Sequence, residues 1–224
     1  MRVATQSGRV TVVAEERADF VFETRKPWIE DVIVGEEGEV APVLDRGSRD
    51  IRVLCPLGTD VVIGTQSGLA ELQGELGRVK VRTQSGHIEL ERAEMADLRS
   101  ESGDITVDAC GDRCRVSTKS GKATVGSSGA TEVMTVSGSI LLEGAAGQVR
   151  AKSASGTVAI RTSGKHDVAV ETFSGSVRVC VPENVHPEAM LKTASGSMSV
   201  DCEQGSDCRV AVRTMSGKVE VVPG

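Results

Sequence analysis

The stretch that decides the fold reads TQSGLAEL (65–72), TQSGHIEL (83–90), SESGDITV (100–107), TKSGKATV (118–125) and TVSGSILL (135–142). Each copy opens on Thr/Ser-x-Ser-Gly and continues with any residue, apolar, any residue, apolar. The motif starts at Thr5, Thr65, Thr83, Ser100, Thr118, Thr135, Ser153, Thr172, Thr193 and Thr214, and from Thr65 onward the spacings are 18, 17, 18, 17, 18, 19, 21 and 21. A short, near-constant period is the signature of a solenoid in which each repeat is one coil.

Working outward from the glycine, two apolar columns follow. The first is Val10, Ala70, Ile88, Ile105, Ala123, Ile140, Val158, Val177, Met198 and Val219. The second is Val12, Leu72, Leu90, Val107, Val125, Leu142, Ile160, Val179, Val200 and Val221. Alternation of period two is a strand with one buried face. A second strand precedes each motif, with inward positions two and four residues before the Thr/Ser: Val79 and Val81, Ala96 and Leu98, Cys114 and Val116, and so on to Ala189 and Leu191, and Val210 and Val212. A second corner lies between the strands, with a turn at Gly77, Gly111, Gly129, Gly147 and Gly164. The Ser-Gly corner calls for φ > 0 or close backbone approach, and only glycine supplies both cheaply. Continuing the alternation turns the Thr/Ser hydroxyl inward, where it must bond to backbone or to its neighbours. Rungs about 4.8 Å apart give a rod roughly 40–45 Å long. Coils of this kind bury their apolar faces only against neighbours, so the ends need caps.

Residues 13–60 lack the short period. Alternation persists at Phe20 and Phe22 and at Ile51 and Val53, which read as extra strands; the acidic stretch from Gly35 to Asp50 reads as a loop. The expected organisation is one continuous domain: residues 1–64 as an N-terminal β cap with the first irregular coils, and residues 65–224 as regular coils. The later coils carry insertions near Pro182–Pro187 and Cys202–Cys208, which map to loops on one side.

Composition agrees and excludes. There is no Tyr, one Trp (Trp28) and three Phe, so the core is aliphatic. The formal net charge of -6 disfavours nucleic-acid partners and simple electrostatic adhesion to anionic lipid. No apolar run is long enough for a secretory leader or a transmembrane helix, which gives the expectation of a cytoplasmic protein with no direct membrane insertion. The irregular spacing of Cys55, Cys110, Cys114, Cys180, Cys202 and Cys208 favours reduced thiols over a disulfide framework.

The Ser-Gly-x-hydrophobic-x-hydrophobic coils, with Val53-Leu54-Cys55-Pro56-Leu57-Gly58-Thr59-Asp60 as a Pro-containing lead-in, resemble the toastrack family of bacterial β-strand repeat domains, also described as adhesin-like. The resemblance spans nearly the whole chain. It implies a single-stranded right-handed parallel β-helix, brings no catalytic residues with it, and implies roles tied to the cell envelope, adhesion and envelope stress.

The residues themselves offer little chemistry. His87, His166 and His186 have no partners at metal-ligand spacing and read as surface residues. Cys110-x3-Cys114 and Cys202-x5-Cys208 are not the spacing of zinc or redox sites, and Cys114 and Cys208 fit inward parity. Gly126-Ser127-Ser128-Gly129-Ala130-Thr131 superficially looks like a phosphate loop but lacks the Lys and the helix, so it reads as a turn. Glu15-Glu16 and Glu36-Glu37 read as solvated. No catalytic, cofactor-binding or metal residues are therefore assigned. The expected function is a non-enzymatic structural or protein-interaction module, binding a protein partner or itself. The alternatives are a carbohydrate-active β-helix enzyme, disfavoured by the scarcity of aromatic platforms, and a self-polymerising solenoid like the bactofilins.

Overall fold

The structure, a computed structural model, describes residues 1–24, 42–45 and 50–224, so Trp28 and Glu36-Glu37 lie outside the described residues. It is a β-solenoid, and no helix occurs among the described residues. The first six strands are β1 (Arg2–Ser7), β2 (Val10–Glu15), β3 (Val21–Thr24), β4 (Pro42–Asp45), β5 (Ile51–Pro56) and β6 (Val61–Ser67). Four long, bent strands follow: β7 (Ala70–Thr83), β8 (Ile88–Ser100), β9 (Ile105–Thr118) and β10 (Ala123–Ser137). Shorter strands complete the rod: β11 (Ile140–Ala145), β12 (Val149–Ser155), β13 (Val158–Thr162), β14 (Val168–Ser174), β15 (Val177–Val181), β16 (Pro187–Ser195), β17 (Met198–Val200), β18 (Cys208–Ser216) and β19 (Val219–Pro223). Pairing among them is parallel except for β3, which runs antiparallel to β5.

The apolar columns form one continuous core. Ile88, Ile105 and Val158 are fully buried in the first column, and Val81, Leu98 and Val116 in the column before the motif. Leu76, Ala93, Cys110 and Ala145 add a further inward position beyond the second column. The second corner is not always a turn. Gly77, Gly111 and Gly129 lie inside β7, β9 and β10; register shifts fall at Gly111 and Gly129 and, in β7, between Leu72 and Glu75 ahead of Gly77. A β-bulge bends a strand and disrupts its ladder only locally. Gly126–Thr131 is likewise part of β10, and the Ser128 and Thr131 hydroxyls hydrogen-bond each other there. The loop expected over 35–50 also needs correction: Pro42–Asp45 pairs in parallel with Arg2–Thr5 of β1. Pro42 is tolerated because it opens the strand.

The Ser-Gly corners stack glycine on glycine. A Cβ on Gly86 would lie 2.0 Å from the Gly68 carbonyl oxygen, and one on Gly103 would lie 1.9 Å from that of Gly86. Close approach is therefore the general reason for glycine here. Positive φ occurs at only some of these corners, such as Gly156 and Gly175.

The inward hydroxyls bond mostly to backbone carbonyls. Thr118 Oγ1 donates to Gly103 O at 3.1 Å and Ser100 Oγ to Gly86 O at 3.2 Å. Thr135 Oγ1 is buried with no partner. A hydroxyl that has lost water and gained nothing is a cost, whereas a bonded one contributes about 1 kcal/mol. Thr135→Val is therefore expected to be neutral or stabilising and Thr118→Val to cost about 1 kcal/mol, read from urea unfolding midpoints. Equal losses would show that the threonines act through shape alone.

Rung order departs from chain order at both ends. The first coil, β1–β2, lies between β4–β5 on one side and β6–β7 on the other. At the opposite end β18–β19 inserts between β14–β15 and β16–β17. The two insertions expected near Pro182–Pro187 and Cys202–Cys208 are the crossings that permit this. They run side by side, with Gly205 N donating to Pro187 O and Asp207 N to His186 O. Asp207 fastens the crossing by accepting from His186 N at 3.1 Å and from Lys165 Nζ at 2.8 Å.

The burial of side chains explains the exchange. Val210, Val212, Val219 and Val221 are 0% exposed, sandwiched by rungs on both sides. The outer rung 187–200 offers Ala189, Leu191, Met198 and Val200 in the same columns. Leu191 and Val200 are half-buried, and Met198 is 49% exposed. Fully burying a Val is worth about 1.5–3 kcal/mol, so the rung richer in Val gains most from two neighbours. Met198 thus keeps the register of the inward column but is not buried, because its rung has a neighbour on one side alone among the described residues.

Candidate interaction surface

The outward faces of the rungs are not uniform. The strand before each Ser-Gly corner presents to solvent the variable residue of Thr/Ser-x-Ser-Gly. Through the first half of the rod this residue is Gln6, Gln66, Gln84, Glu101 and Lys119. It then changes to Val136, Ala154, Phe173, Met215 and, on the outer rung, Ala194. The flanking positions are in register from β10 through β12, β14 and β18 to β16, so these five stack in one line. At about 4.8 Å per rung the line is about 19 Å long. Phe173 is 61% exposed, and Val136 and Met215 are each 52% exposed. Met134 stands beside Val136, and the small Ala154 leaves a shallow trough of about 720 Å³ between its larger neighbours.

The line is continuous because of the exchanged rung order. In chain order Ala194 would separate Phe173 from Met215; in the structure β18 lies directly on β14, which places Met215 next to Phe173. A thioether beside an aromatic ring is a favourable contact. In the motif Thr/Ser-x-Ser-Gly this position admits any residue, so the repeat itself does not mark it. The signal was present in the change from Gln, Glu and Lys to Val, Ala, Phe and Met.

Charge surrounds the trough. Lys152 Nζ bonds Glu171 Oε2 at 2.8 Å, and this ammonium lowers the Glu171 pKa. Further along the same face Lys119 pairs with Glu101 at 2.9 Å, Arg115 with Glu132 at 2.8 Å and Arg99 with Asp97 at 3.0 Å. The other outward face is acidic at its N-terminal half, where Glu71, Glu89, Glu91 and Asp108 project from β7, β8 and β9. The two outward faces of the described rungs thus differ in charge.

The residues weighed for chemistry are scattered. His87 is exposed and its Nδ1 accepts from Asp104 N at 3.2 Å. His166 lies in the connection before β14, and His186 Nδ1 is 3.7 Å from Glu203 Oε2 at the end crossing. Glu15 pairs with Arg17 at 3.0 Å. The six cysteines are free thiols. Cys114 and Cys208 are buried as their inward parity requires, and so are Cys55 and Cys110. The hydrogen bond shared with Cys110, together with burial, pushes the Cys114 thiol well up, which suits a core side chain rather than a nucleophile. None of these groups borders the trough.

The repeat, the stacked corners and the solenoid agree with a family profile, described as Toastrack DUF4097, that matches residues 72–221. The chain belongs to the Toastrack DUF4097 family. No curated protein and no solved structure matches it. The match runs from Leu72 to Val221, so the Toastrack profile takes in all of the trough. No helix among the described residues of this Toastrack chain is long and apolar enough to cross a membrane.

Proposed function

We propose that this Toastrack chain is a non-enzymatic, adhesin-like docking module that holds a protein partner on the trough formed by Val136, Ala154, Phe173 and Met215. The observation that carries the reading is the contiguity of exposed apolar side chains on four successive rungs, with ion-paired charges beside them. Isolated exposed apolar residues need no explanation, but a contiguous apolar patch rimmed by polar groups marks an interaction site. Aromatic, Met and Arg side chains are the types enriched in such interfaces. The parallel ladders on either side keep the surface rigid, so little ordering entropy is lost on binding.

The test is comparative affinity capture with the wild-type chain and with Phe173→Asp and Met215→Asp. Both side chains are exposed, so their replacement is expected to change stability by no more than about 0.5 kcal/mol. Loss of a central anchor costs about 2 kcal/mol or more of binding, roughly a thirtyfold drop in affinity. Specific partners should be recovered by the wild type and lost by both variants. Identical recovery by all three chains would remove the trough from the interface.

A further inference from the structure

The geometry points to an acidic, amphipathic polypeptide segment as the occupant of the trough, held by an apolar stripe against Phe173 and Met215 and by carboxylates against Arg213 and Lys192. This inference rests on the docking reading above and adds the chemistry of the partner.

Ion pairs leave this face with a surplus of cations. Within three outward columns of the trough-bearing face (the residue after each inward Thr/Ser, and those one and three before it), every carboxylate already has a cation: Asp97, Glu101, Glu132 and Glu171 are bound to Arg99, Lys119, Arg115 and Lys152. Six cations in those columns, Arg2, Lys80, Arg82, Arg150, Lys192 and Arg213, form no ion pair among the described residues. The surplus is positive on a chain whose net charge is negative.

Two of the six are set against each other. Arg213 of β18 and Lys192 of β16 are direct register partners. Like charges directly opposite on neighbouring strands repel and destabilise the sheet. The exchanged rung order creates this contact. It also places Arg213 beside Glu171, whose carboxylate is already held by Lys152. A visiting carboxylate between Arg213 and Lys192 would relieve the repulsion. Each cation lies two residues before the variable position of its own rung, beside Met215 and Ala194. The site therefore asks for apolar groups and carboxylates a few ångströms apart on one narrow ligand.

A polypeptide meets this demand better than other polyanions. The apolar residues line a concavity on a sheet face, which a ridge of side chains can enter and a flat bilayer cannot. Of the basic groups that line the trough, Lys119 and Lys152 are already paired with Glu101 and Glu171, which leaves Arg213, so a nucleic acid or an anionic bilayer of uniform charge finds no row of free cations there. A segment of about 13 helical residues matches the trough at 1.5 Å per residue.

The test uses a synthetic amphipathic peptide of about 15 residues, with Leu along one stripe and Glu on both flanks. Its comparators carry Lys in place of Glu, or are phosphatidylserine–phosphatidylcholine vesicles or oligothymidine. Binding is read by fluorescence anisotropy or co-sedimentation to the wild-type chain, to the Lys192→Glu/Arg213→Glu double variant and to Phe173→Asp. The Glu peptide should bind, should weaken as salt rises, and should lose about tenfold or more in affinity to each variant, while the Lys peptide does not bind. Absence of Glu-peptide binding, equal binding of the Lys peptide, or tighter binding of vesicles or oligothymidine would overturn the inference. If Phe173→Asp abolishes binding and the charge reversal leaves it unchanged, the acidic partner is wrong and the docking trough stands. If neither variant matters, both readings fall.

Discussion

Gly103→Ala should unfold the middle of the rod, at a cost of about 3–5 kcal/mol. The added methyl carbon would sit 1.9 Å from Gly86 O, 2.6 Å from Gly86 C and 2.9 Å from Ser100 Oγ. The first two are backbone atoms of the adjacent rung, locked by ladders on both sides, so the clash can be relieved only by prising rungs apart. Gly103 does not have positive φ, so alanine would suit its backbone and the penalty is contact alone. Two controls separate the effects. Gly64 has open space and no positive φ, so Gly64→Ala should be neutral or stabilise by about 0.4–1 kcal/mol through the unfolded chain. Gly58 has open space at φ +71°, so Gly58→Ala tests backbone strain alone at about 1–2 kcal/mol. Chemical denaturation of the three variants measures this. A Gly103→Ala chain as stable as the wild type would refute the close-approach account of the corners.

Val219→Asp and Met198→Asp should differ by several kcal/mol, and in the direction opposite to their distance from the chain end. The two residues occupy the same inward column and are register partners on adjacent strands. Val219 is 0% exposed, with β15 on one side and β17 on the other; Met198 is 49% exposed on the outer rung. A carboxylate at 219 would be buried without a partner, and the destabilisation should exceed about 4 kcal/mol. At 198 it would reach water, for a change of about 0.5–1 kcal/mol. Denaturation midpoints and native-state hydrogen exchange across 187–200 would decide. If Met198→Asp proved the more damaging, the order of the last two rungs would be the chain order after all.

Much of the architecture is legible without coordinates because the period of two and the recurrence of Ser-Gly act locally. Which side of Ile88, Leu98 or Val116 faces inward depends on parity within one strand, and the hydroxyl of Thr118 follows by the same parity. The interaction surface was less legible. Phe173 and Met215 are 42 residues apart and gain meaning only as neighbours. Their identities were visible at one position of the motif, but sequence pattern alone weighs such outward positions lightly because burial does not constrain them.

The sequence by itself determined that this chain coils, where it corners, which side chains make the core and that glycine must stand at each Ser-Gly bend. Those properties come from the preferences of single strands and turns. Tertiary structure alone decided which coil lies on which. Any rung bearing Thr-x-Ser-Gly can pair in register with any other, so local pattern does not rank the neighbours. The ranking came from burying Val210, Val212, Val219 and Val221 on both sides and leaving Met198 at the edge. That exchange joined Phe173 to Met215 and set Arg213 against Lys192.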